Sequence, residues 1–549
     1  MLCALCHRPL DPVLLAVQPK IEDHIARILR ENNQGWDPGD GACPDCVQAA
    51  VEKAIEARSL TSLQEELLMP FPVYSREEKR LLSTPVRVNA NPNFAGRGVT
   101  IAFLDSGFYP HPDLVKPDDR IICYVDATGR VPTEKQNFKQ PMVTSWHGLM
   151  TSAICAGNGL MSDHLYRGIA DKAKLVLVKT GNLRGRGIRD RDISRALTWV
   201  LNNYERFQIR IVNISLGGDS PTTGKFTELD ELVEEAISRG LVVVVAAGNS
   251  GHRIIVPPAS APSAITVGGL NDQNHLDPRY RRMYWSSYGR GINEVRKPDI
   301  IAPAIWLAAP MLPKTSTHNA ALFFWRLASA SESVLRKSME SSYVQARLNK
   351  KIQNLPASEI RLAIQEYMKE QKFIHPHYQH VDGTSMAAPI VSGVVAQMLQ
   401  ANPSLTPAQV KEILMVTADP LNDAPAERQG AGAVNAGRAV AAALRMSGGL
   451  LQGIPISPHM APREITLYYY DPSAKEVAVT GSFHDWQTKD GEMVQIRPGL
   501  WEGMIDFPKR GTHRYKFMVD RSRWIHDPEN PFRIEDGFGG FNSLMTIDR

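Results

Sequence analysis

Three polar residues with the chemistry of acyl transfer stand in short motifs that are far apart along the chain. Asp105 follows an apolar strand pattern in IAFLDSG, His147 opens a small-residue helix pattern in WHGLMTSAICAG, and Ser385 opens an apolar helix pattern in DGTSMAAPIVSGVVAQML. A serine hydroxyl becomes a strong nucleophile only when a base removes its proton. A histidine is suited to that role, and a carboxylate can fix its tautomer and stabilise the imidazolium. These motifs therefore predict that Ser385 is the nucleophile of an Asp-His-Ser triad.

A fourth motif, VVVVAAGNSG, places Asn249 shortly after a buried-strand pattern. Its side-chain amide is suited to donate a hydrogen bond to a developing oxyanion, together with the backbone N–H of Ser385. Gly383 permits a tight turn before the nucleophile, and Ala387 and Ala388 permit close helix packing behind it. A single Asp, His or Ser at a strand end is more often a cap or turn residue. The prediction of a catalytic site therefore depends on the four motifs together.

The elements that must position these residues lie between residues 96 and 445. Continuous apolar runs alternate there with helical patterns, which is typical of an α/β fold with a parallel sheet covered by helices on both faces. The predicted helices include Arg191–Asn202 and Glu228–Arg239. The predicted strands are Val99–Leu104, Leu175–Val178, Ile209–Ile214 and Leu241–Ala247.

These motifs, in this order, resemble the subtilisin family of serine peptidases. Further matching strings are HPDL, NISLGG, SAITVGGL, WSSYG and KPDIIAPA, and the resemblance spans residues 96–445. It implies a subtilisin-like core that hydrolyses peptide bonds in a protein or peptide substrate, with Ser215, Leu216 and Gly217 lining the substrate cleft. It also raises calcium as a cofactor, because Asp113 matches a position that family members often use as a calcium ligand. A catalytically silent protein that retains the fold is the alternative.

Residues 311–379 form an insertion where the family needs only a short connection. Helical patterns run over Asn319–Leu348 and Ser358–Gln371, and the insertion ends just before the nucleophile. It is interpreted either as a lid or partner-docking element or as a helical decoration packed on the surface. His375, His377 and His380 close the insertion; they are either a metal site or polar surface.

Four cysteines near the N-terminus form two C-x-x-C pairs, Cys3 with Cys6 and Cys43 with Cys46. Together they supply four thiolates for one tetrahedral zinc ion, which can stabilise a segment too small to hold a core by itself. Residues 1–58 therefore resemble a zinc ribbon with a structural ion, and a redox pair or unconnected thiols are the alternatives. Residues 59–95 are predicted to be a linker or leader.

After a linker at 446–462, residues 463–549 change to short alternating strands with turns, which predicts an all-β sandwich. The strings VTGSFHDWQ, GLWEG, GTHRYKFMVDRSRWIHDP and FGGFNS resemble the glycogen-binding module of the AMP-activated kinase β subunit and of glucan-branching enzymes. The resemblance implies that an α-glucan such as glycogen is a partner, and that it is bound by Trp486, Trp524, Lys516, Asn542 and Phe538. Aromatic faces can cover sugar rings while polar groups fix the hydroxyl directions. The alternative is that the tryptophans belong to the sandwich core.

Composition excludes two classes of partner. The chain has 549 residues, with 62 Lys and Arg against 58 Asp and Glu, so its formal net charge of +4 gives no basis for binding nucleic acid or an anionic membrane. No apolar run is long enough to span a bilayer, and the N-terminus lacks the pattern of a secretory signal. We therefore expect a multidomain cytoplasmic protein whose thiols stay reduced. An endopeptidase targeted to a glucan is the leading prediction, and a glucan-associated scaffold with a silent peptidase fold is the alternative.

Overall fold

A computed structural model describes most of the chain from residue 81 to residue 547. Within that range it leaves out 136–137, 139–140, 143, 182–187, 219–220, 223, 349, 447–456, 461–463, 490, 507, 509–510, 531 and 539, and before it only residue 5 is described. The predicted zinc-ribbon segment, with Cys3, Cys6, Cys43 and Cys46, therefore lies outside the described residues. None of the helices in the described ranges has the length and apolar content needed to cross a membrane.

The first fourteen strands belong to the predicted α/β region. They are β1 Thr100–Asp105, β2 Ile121–Asp126, β3 Thr133–Lys135, β4 Lys174–Lys179, β5 Ile209–Ile214, β6 Val242–Ala246, β7 Ile265–Asn271, β8 Arg282–Met283, β9 Gly289–Arg290, β10 Arg296–Lys297, β11 Ile300–Pro303, β12 Leu307–Pro310, β13 Phe373–His375 and β14 Tyr378–Val381.

Nine of these strands form one twisted sheet with the order β11-β7-β6-β5-β1-β4-β2-β3, in which β8 also pairs with β7. The seven strands from β11 to β2 are parallel to their neighbours. The other two, β3 and β8, are antiparallel. The sheet is therefore mixed at its margins, while its centre is the predicted parallel sheet. Smaller pairings join β9 to β10, and β12 to β14 to β13.

Thirteen helices of the described residues connect and cover these strands. They are α1 Thr84–Arg87, α2 Pro112–Val115, α3 Ser145–Ala156, α4 Asp190–Phe207, α5 Glu228–Ser238, α6 Ser316–Ala328, α7 Glu332–Met339, α8 Ser342–Gln345, α9 Ala357–Glu370, α10 Thr384–Ala401, α11 Pro407–Val416, α12 Ala426–Gln429 and α13 Ala436–Arg445.

The central strand shows why both faces of the sheet must be covered. Along β1, Ile101 and Phe103 point into one hydrophobic cluster and Ala102 and Leu104 into another, all fully buried. The first cluster is closed by α3, α10 and α13, and the second by α4 and α5. Because successive side chains of a strand point to opposite faces, a strand that is apolar at every position requires two cores. The prediction of helices on both faces is confirmed.

The last residues of the predicted linker or leader at 59–95 pack on the α/β domain. Leu81, Val88 and Phe94 are buried in the first cluster. Arg87 is buried as well, and its Nε donates to Asp272 at 2.8 Å. The prolines of this stretch suggested a linker, but the apolar side chains between them gain stability by packing on the sheet domain.

The insertion at 311–379 builds a hydrophobic cluster of its own. Helices α6 to α9 bury Phe324, Leu335, Met339, Ile360 and other apolar residues against one another. The helical pattern predicted over Asn319–Leu348 corresponds to three separate helices, α6, α7 and α8, because two serine-containing turns interrupt it. The insertion ends in the hairpin β13–β14, which pairs with β12 of the main domain.

The described residues of the C-terminal region form nine strands in two sheets. They are β15 His459–Met460, β16 Glu464–Tyr470, β17 Val477–Gly481, β18 Val494–Arg497, β19 Leu500–Asp506, β20 Gly511–Val519, β21 Arg523–Ile525, β22 Arg533–Glu535 and β23 Phe541–Ile547. One sheet has the order β15-β16-β19-β18, and the other has the order β17-β20-β23-β22 with β21 beside β20. Alternate residues of β16, β17 and β20 fill a shared core, as a sandwich requires.

The boundary of this β-sandwich differs from the predicted linker at 446–462. Strand β15 lies inside that range and pairs with Ile465 and Thr466 of β16. The sandwich also rests directly on the α/β domain. The rings of Phe94 and Tyr470 stack with centroids 5.7 Å apart, and Arg533 donates to Asn89 Oδ1 at 3.0 Å.

Candidate active site

The predicted site residues of the peptidase region lie at the carboxyl edge of the parallel strands, although His147 Nε2 and Ser385 Oγ do not hydrogen-bond to each other. Asp105 is the last residue of β1, Ser215 follows β5, and Asn249 lies three residues after β6. Strand β1 pairs with both β4 and β5, and the strands that follow β4 in the chain continue the sheet on the opposite side of β1. Loops diverge at such a point and leave a crevice, which is where open α/β sheets place their ligands.

Asp105 is fully buried and accepts four hydrogen bonds. Its Oδ1 accepts from the backbone N–H of Ser106 at 2.6 Å and the Ser106 hydroxyl at 3.2 Å, and it lies 2.7 Å from His147 Nδ1. Its Oδ2 accepts from the Thr151 hydroxyl at 3.0 Å. These partners fix the carboxylate and direct one oxygen at the imidazole. Ser106 and Thr151 were not predicted, although Thr151 stands one helical turn after His147 in the same motif.

His147 is the third residue of α3 and is 3% exposed. With Nδ1 held by Asp105, Nε2 is the ring nitrogen left for chemistry, and it is buried with no hydrogen-bond partner among the described residues. The Trp146 ring lies beside the imidazole, edge to face, with centroids 5.5 Å apart. Helix α3 comes very close to the loop after β1, since a Cβ on Gly148 would stand 2.1 Å from the carbonyl oxygen of Gly107. Only glycine fits there.

Ser385 is the second residue of α10, and its hydroxyl is buried without a hydrogen-bond partner among the described residues. Gly383, just before the helix, has a φ of +130° that disfavours side-chain-bearing residues. A Cβ on Gly383 would stand 3.2 Å from Ser385 Oγ and 3.4 Å from Asn249 Nδ2. The hydroxyl and the amide nitrogen therefore flank the same small space, and glycine keeps that space open.

Two hydrogen bonds orient the Asn249 side chain. Its Oδ1 accepts from the backbone N–H of Thr384 at 2.9 Å and from the Thr384 hydroxyl at 3.1 Å. Because the carbonyl oxygen is held on that side, the amide nitrogen is turned toward Gly383 and Ser385. Thr384 was not predicted as a site residue, and its position next to the nucleophile is the only sequence signal for it.

A buried chain of polar groups supports the nucleophile from behind. Ser392 donates to Asn213 Oδ1 at 2.9 Å, Asn213 Nδ2 donates to Ser215 Oγ at 3.0 Å, and Ser215 donates to the carbonyl oxygen of Ser385 at 2.9 Å. The predicted cleft residue Ser215 thus uses its hydroxyl to hold Ser385. Leu216 is partly exposed and Gly217 is exposed beside it, and their role in lining the substrate cleft stays a prediction.

Asp113, the predicted calcium position, is engaged by protein donors. The Tyr378 hydroxyl donates to its Oδ2 and the backbone N–H of Met161 donates to its Oδ1 at 3.1 Å. Calcium binding by Asp113 stays a prediction. In the described part of the chain, no cluster of three or more His, Cys, Asp and Glu is arranged to hold a metal ion.

The three histidines at the end of the insertion do not converge. His380 is buried on β14, and burial lowers its pKa to about 3. His377 lies 2.9 Å from His318 of α6, Nδ1 to Nε2. Burial also lowers the pKa of His318 and of the nearby His111 to about 4 each. These histidines join the insertion to the main domain in their neutral forms.

The predicted sugar-binding residues share the outer face of one sandwich sheet. On β20, Lys516 alternates with the core residues Tyr515 and Phe517. The register that pairs Arg514 with Leu544 and Tyr515 with Ser543 puts Asn542 beside Lys516. Trp524 on β21 pairs with Met518, two positions further along the same face.

The two tryptophans are exposed and not part of the core. Trp486 is 38% exposed and Trp524 is 46% exposed, and their rings meet with centroids 6.2 Å apart. Phe538, in the turn between β22 and β23, is 95% exposed. The buried tryptophan of this region is Trp501. We call Trp486, Trp524, Lys516, Asn542 and Phe538 the tryptophan face.

Asp536 organises the tryptophan face and was not predicted. It accepts a hydrogen bond from Lys516, and its Oδ1 accepts from the backbone N–H of Phe538 at 2.7 Å and of Gly540 at 2.9 Å. Partial burial alone would raise the pKa of Asp536, but the bonds from Lys516 and the two N–H groups outweigh it and lower this pKa to about 2. Asp536 therefore fixes both Lys516 and the turn that carries Phe538.

Comparison with known proteins identifies both regions. The sequence model of the glycogen recognition site of AMP-activated protein kinase matches residues 465–549, and the C-terminal sandwich is thus a glycogen-binding-type module. The sequence model of the subtilase family matches residues 96–432.

Two curated relatives agree with this assignment. The chain is 33% identical to the serine protease AprX of Bacillus subtilis (strain 168) over 398 residues, covering 70% of this chain and 77% of AprX. It is 27% identical to Subtilisin Savinase of Lederbergia lenta over 347 residues, covering 63% of this chain and 92% of that protein. Among solved structures, fervidolysin from Fervidobacterium pennivorans is 19% identical, with a TM-score of 0.45 over 82% of this chain and 59% of that one. The chain belongs to the subtilase family and is a serine endopeptidase.

Proposed function

We propose that Asp105, His147, Ser385 and Asn249 are the catalytic residues of this endopeptidase. Ser385 Oγ attacks the carbonyl carbon of a peptide bond while its proton passes to His147 Nε2. His147 then returns that proton to the leaving amine as the C–N bond breaks, and water releases the acyl group from Ser385 by the same route. Asp105 holds the imidazole and stabilises its protonated form.

The observation that carries this proposal is the shared space in front of Gly383. Ser385 Oγ and Asn249 Nδ2 stand 3.2 Å and 3.4 Å from the position that a Cβ of Gly383 would occupy. When Ser385 Oγ bonds to the carbonyl carbon of a substrate, the oxygen of that carbonyl therefore lies within reach of the Asn249 amide. The backbone N–H of Ser385 is in the first turn of α10, where helix N–H groups lack an intrahelical acceptor. Two donors for one oxyanion are the arrangement that acyl transfer requires.

Labelling with a fluorophosphonate probe tests the assignment. We expect the wild-type chain to be labelled and the Ser385→Ala chain not to be. Ser404→Ala, which removes an exposed serine elsewhere, should be labelled like the wild type. Labelling that persists in Ser385→Ala would assign the nucleophile elsewhere, and absent labelling of wild type would favour the silent scaffold.

We further propose that the C-terminal module binds an α-glucan through the tryptophan face and so directs the peptidase to glycogen in the cytoplasm. The support is that Trp486, Trp524 and Phe538 are exposed together on the tryptophan face. Clusters of exposed aromatic residues are rare on soluble proteins except at binding sites. Co-sedimentation of the full chain with glycogen tests the proposal, and dextran, an α-glucan of different linkage, tests its selectivity.

We also propose that Cys3, Cys6, Cys43 and Cys46 hold one structural zinc ion, which would bring folding energy to the N-terminal segment. Elemental analysis should find about one zinc per chain. Replacing Cys3 and Cys43 by serine should remove it, while Cys123→Ser, in the main domain, should keep it. Zinc retained by the double variant would refute this ligand set.

A further inference from the structure

A cleft of about 530 Å³ lies where the peptidase domain meets the glycogen-binding-type module. Its walls are two peptidase segments, within residues 278–283 and 419–428, and Phe532, which directly precedes β22 of the module. It shares no residue with the catalytic site or with the tryptophan face. Its volume is in the range of small-molecule sites.

The cleft is rich in arginine. Arg279, Arg281, Arg282 and Arg428 line it, against the carboxylates Asp419 and Asp423. Asp419 is already shared, since Arg281 lies 3.1 Å from it and Arg438 also forms an ion pair with it. One carboxylate thus serves two largely buried guanidinium groups.

Two of these arginines have no carboxylate partner among the described residues. Arg282 donates to the carbonyl oxygens of Arg279 and Arg281. Arg428 makes one long bond of 3.4 Å to the carbonyl oxygen of Tyr284, and its Nε is buried without a hydrogen-bond partner in the described structure. Both are partly buried, so water compensates for the missing partner less well than on an open surface.

Most of the remaining lining of the cleft is apolar. Met283 and Leu421 lie on the peptidase side, and Phe532, which is 51% exposed, faces from the module. An aromatic face of this kind suits the ring of an organic molecule.

We propose that this cleft binds a small organic phosphate monoester, with its phosphate on Arg282 and Arg428 and its ring against Phe532. Guanidinium groups bind phosphate by paired N–H donors and are the usual choice for this anion. Because the walls come from both domains, a bound molecule holds the module against the peptidase. The site would thus let a phosphorylated metabolite stabilise one arrangement of targeting module and enzyme.

Isothermal titration calorimetry on the full chain tests the proposal with four probes at equal ionic strength: glucose 6-phosphate, adenosine monophosphate, inorganic phosphate and glucose. We expect at least one of the two monoesters to bind ten times more tightly than inorganic phosphate, and the preferred one distinguishes a sugar phosphate from a nucleotide. Glucose reports any binding at the tryptophan face, since it carries no phosphate.

The variant Arg282→Gln with Arg428→Gln should weaken binding of that monoester at least tenfold. Arg336→Gln is the matched control, because Arg336 lies on α7 outside the cleft and is paired with Glu332, and it should bind like the wild type. Phe532→Ala, at a half-exposed position that tolerates truncation, should weaken the monoester but leave inorganic phosphate unchanged. Monoesters that bind no better than inorganic phosphate, or unchanged affinity in the arginine pair or in Phe532→Ala, would overturn the proposal.

Discussion

The catalytic edge and the tryptophan face position their polar groups in opposite ways. Asp105, His147 and Ser385 are at most 6% exposed. Hydrogen bonds join Asp105 of β1 to α3, and others join the start of α10 to Ser215 and Asn249. Trp486, Trp524 and Phe538 are 38%, 46% and 95% exposed. Proton transfer needs groups fixed and shielded from water, because electrostatic interactions weaken in water. Sugar binding needs flat surfaces open to a large polymer.

This contrast predicts what each region tolerates. A change at the catalytic edge should alter turnover and leave glycogen retention intact, whereas a change at the tryptophan face should do the reverse. The two regions are joined through the sandwich and residues 81–95, so any cross-effect would measure how strongly they communicate.

The largest expected effect is that of Asn249→Ala on turnover. Loss of the corresponding donor type in subtilisin costs about 100- to 1,000-fold in kcat, and we expect the same range with little change in KM. Steady-state hydrolysis of a peptide substrate measures it. Ser250→Ala at the next position is the control and should stay within a few-fold of wild type. A loss confined to KM would show that Asn249 binds substrate without stabilising the oxyanion.

The next effect concerns the pH dependence of stability where the insertion meets the main domain. His111 Nδ1 accepts from the backbone N–H of Asp113, and the ring faces Asp113, His318 and His377. Burial lowers the pKa of His111 to about 4 despite the attraction of Asp113. Between pH 6.5 and 4 the unfolded chain therefore binds a proton that the folded chain does not. The unfolding free energy should fall by about 3 kcal/mol from this group as the pH drops through that window.

The variant His111→Asn separates this titration from the helix cap. Asparagine can accept the same N–H at the start of α2 but does not titrate. Urea unfolding at pH 7 and pH 4 should show a smaller loss of stability for His111→Asn than for the wild type. Equal losses in the two proteins would mean that His111 does not contribute to the pH dependence.

Much of the catalytic edge is predictable from sequence because each side chain is tied to a regular element. Asp105 ends a strand whose six residues are all buried, and His147 and Ser385 lie in the first turns of helices of small or apolar residues. Strand ends and helix starts are local features, and the order of the motifs along the chain supported the family resemblance. Thr151, Thr384 and the Ser392–Asn213–Ser215 chain were missed, because their role depends on which elements lie side by side.

Dependence on contacts between distant parts of the chain also explains why the sequence did not reveal the packing of residues 81–95 or the role of Asp536. Residues 81–95 look like a linker until their apolar side chains meet a sheet that lies far away in sequence. The tryptophans were found through the family resemblance, while periodicity alone does not separate them from the buried Trp501. Asp536 sits in a turn with no pattern of its own, so only the folded register reveals that it holds Lys516.

On the exposed side of the comparison, Trp486→Ala together with Trp524→Ala should weaken glycogen binding about tenfold or more. Each exposed ring that a sugar covers contributes on the order of 1 kcal/mol or more through apolar burial. Co-sedimentation of the full chain over a range of glycogen concentrations measures the change. Met504→Ala, an exposed apolar residue of the other sheet, should bind like the wild type, and undiminished binding by the double variant would remove the tryptophans from the site.

The smallest expected effect separates the two tasks of Asp536. In Asp536→Asn, the amide oxygen can still accept the N–H groups of Phe538 and Gly540, but the charge that holds Lys516 is lost. We expect glycogen affinity to fall about two- to threefold. This is less than the loss of a typical hydrogen bond to a charged group would cause, because Lys516 remains in place and can still bind the sugar. Asp536→Ala also releases the turn and should cost more. Since the pKa of Asp536 is about 2, the carboxylate stays ionised from pH 5 to 8, and wild-type affinity should be flat over that range. Equal affinity of wild type, Asp536→Asn and Asp536→Ala would show that, unlike the catalytic edge, the tryptophan face works without a fixed polar framework.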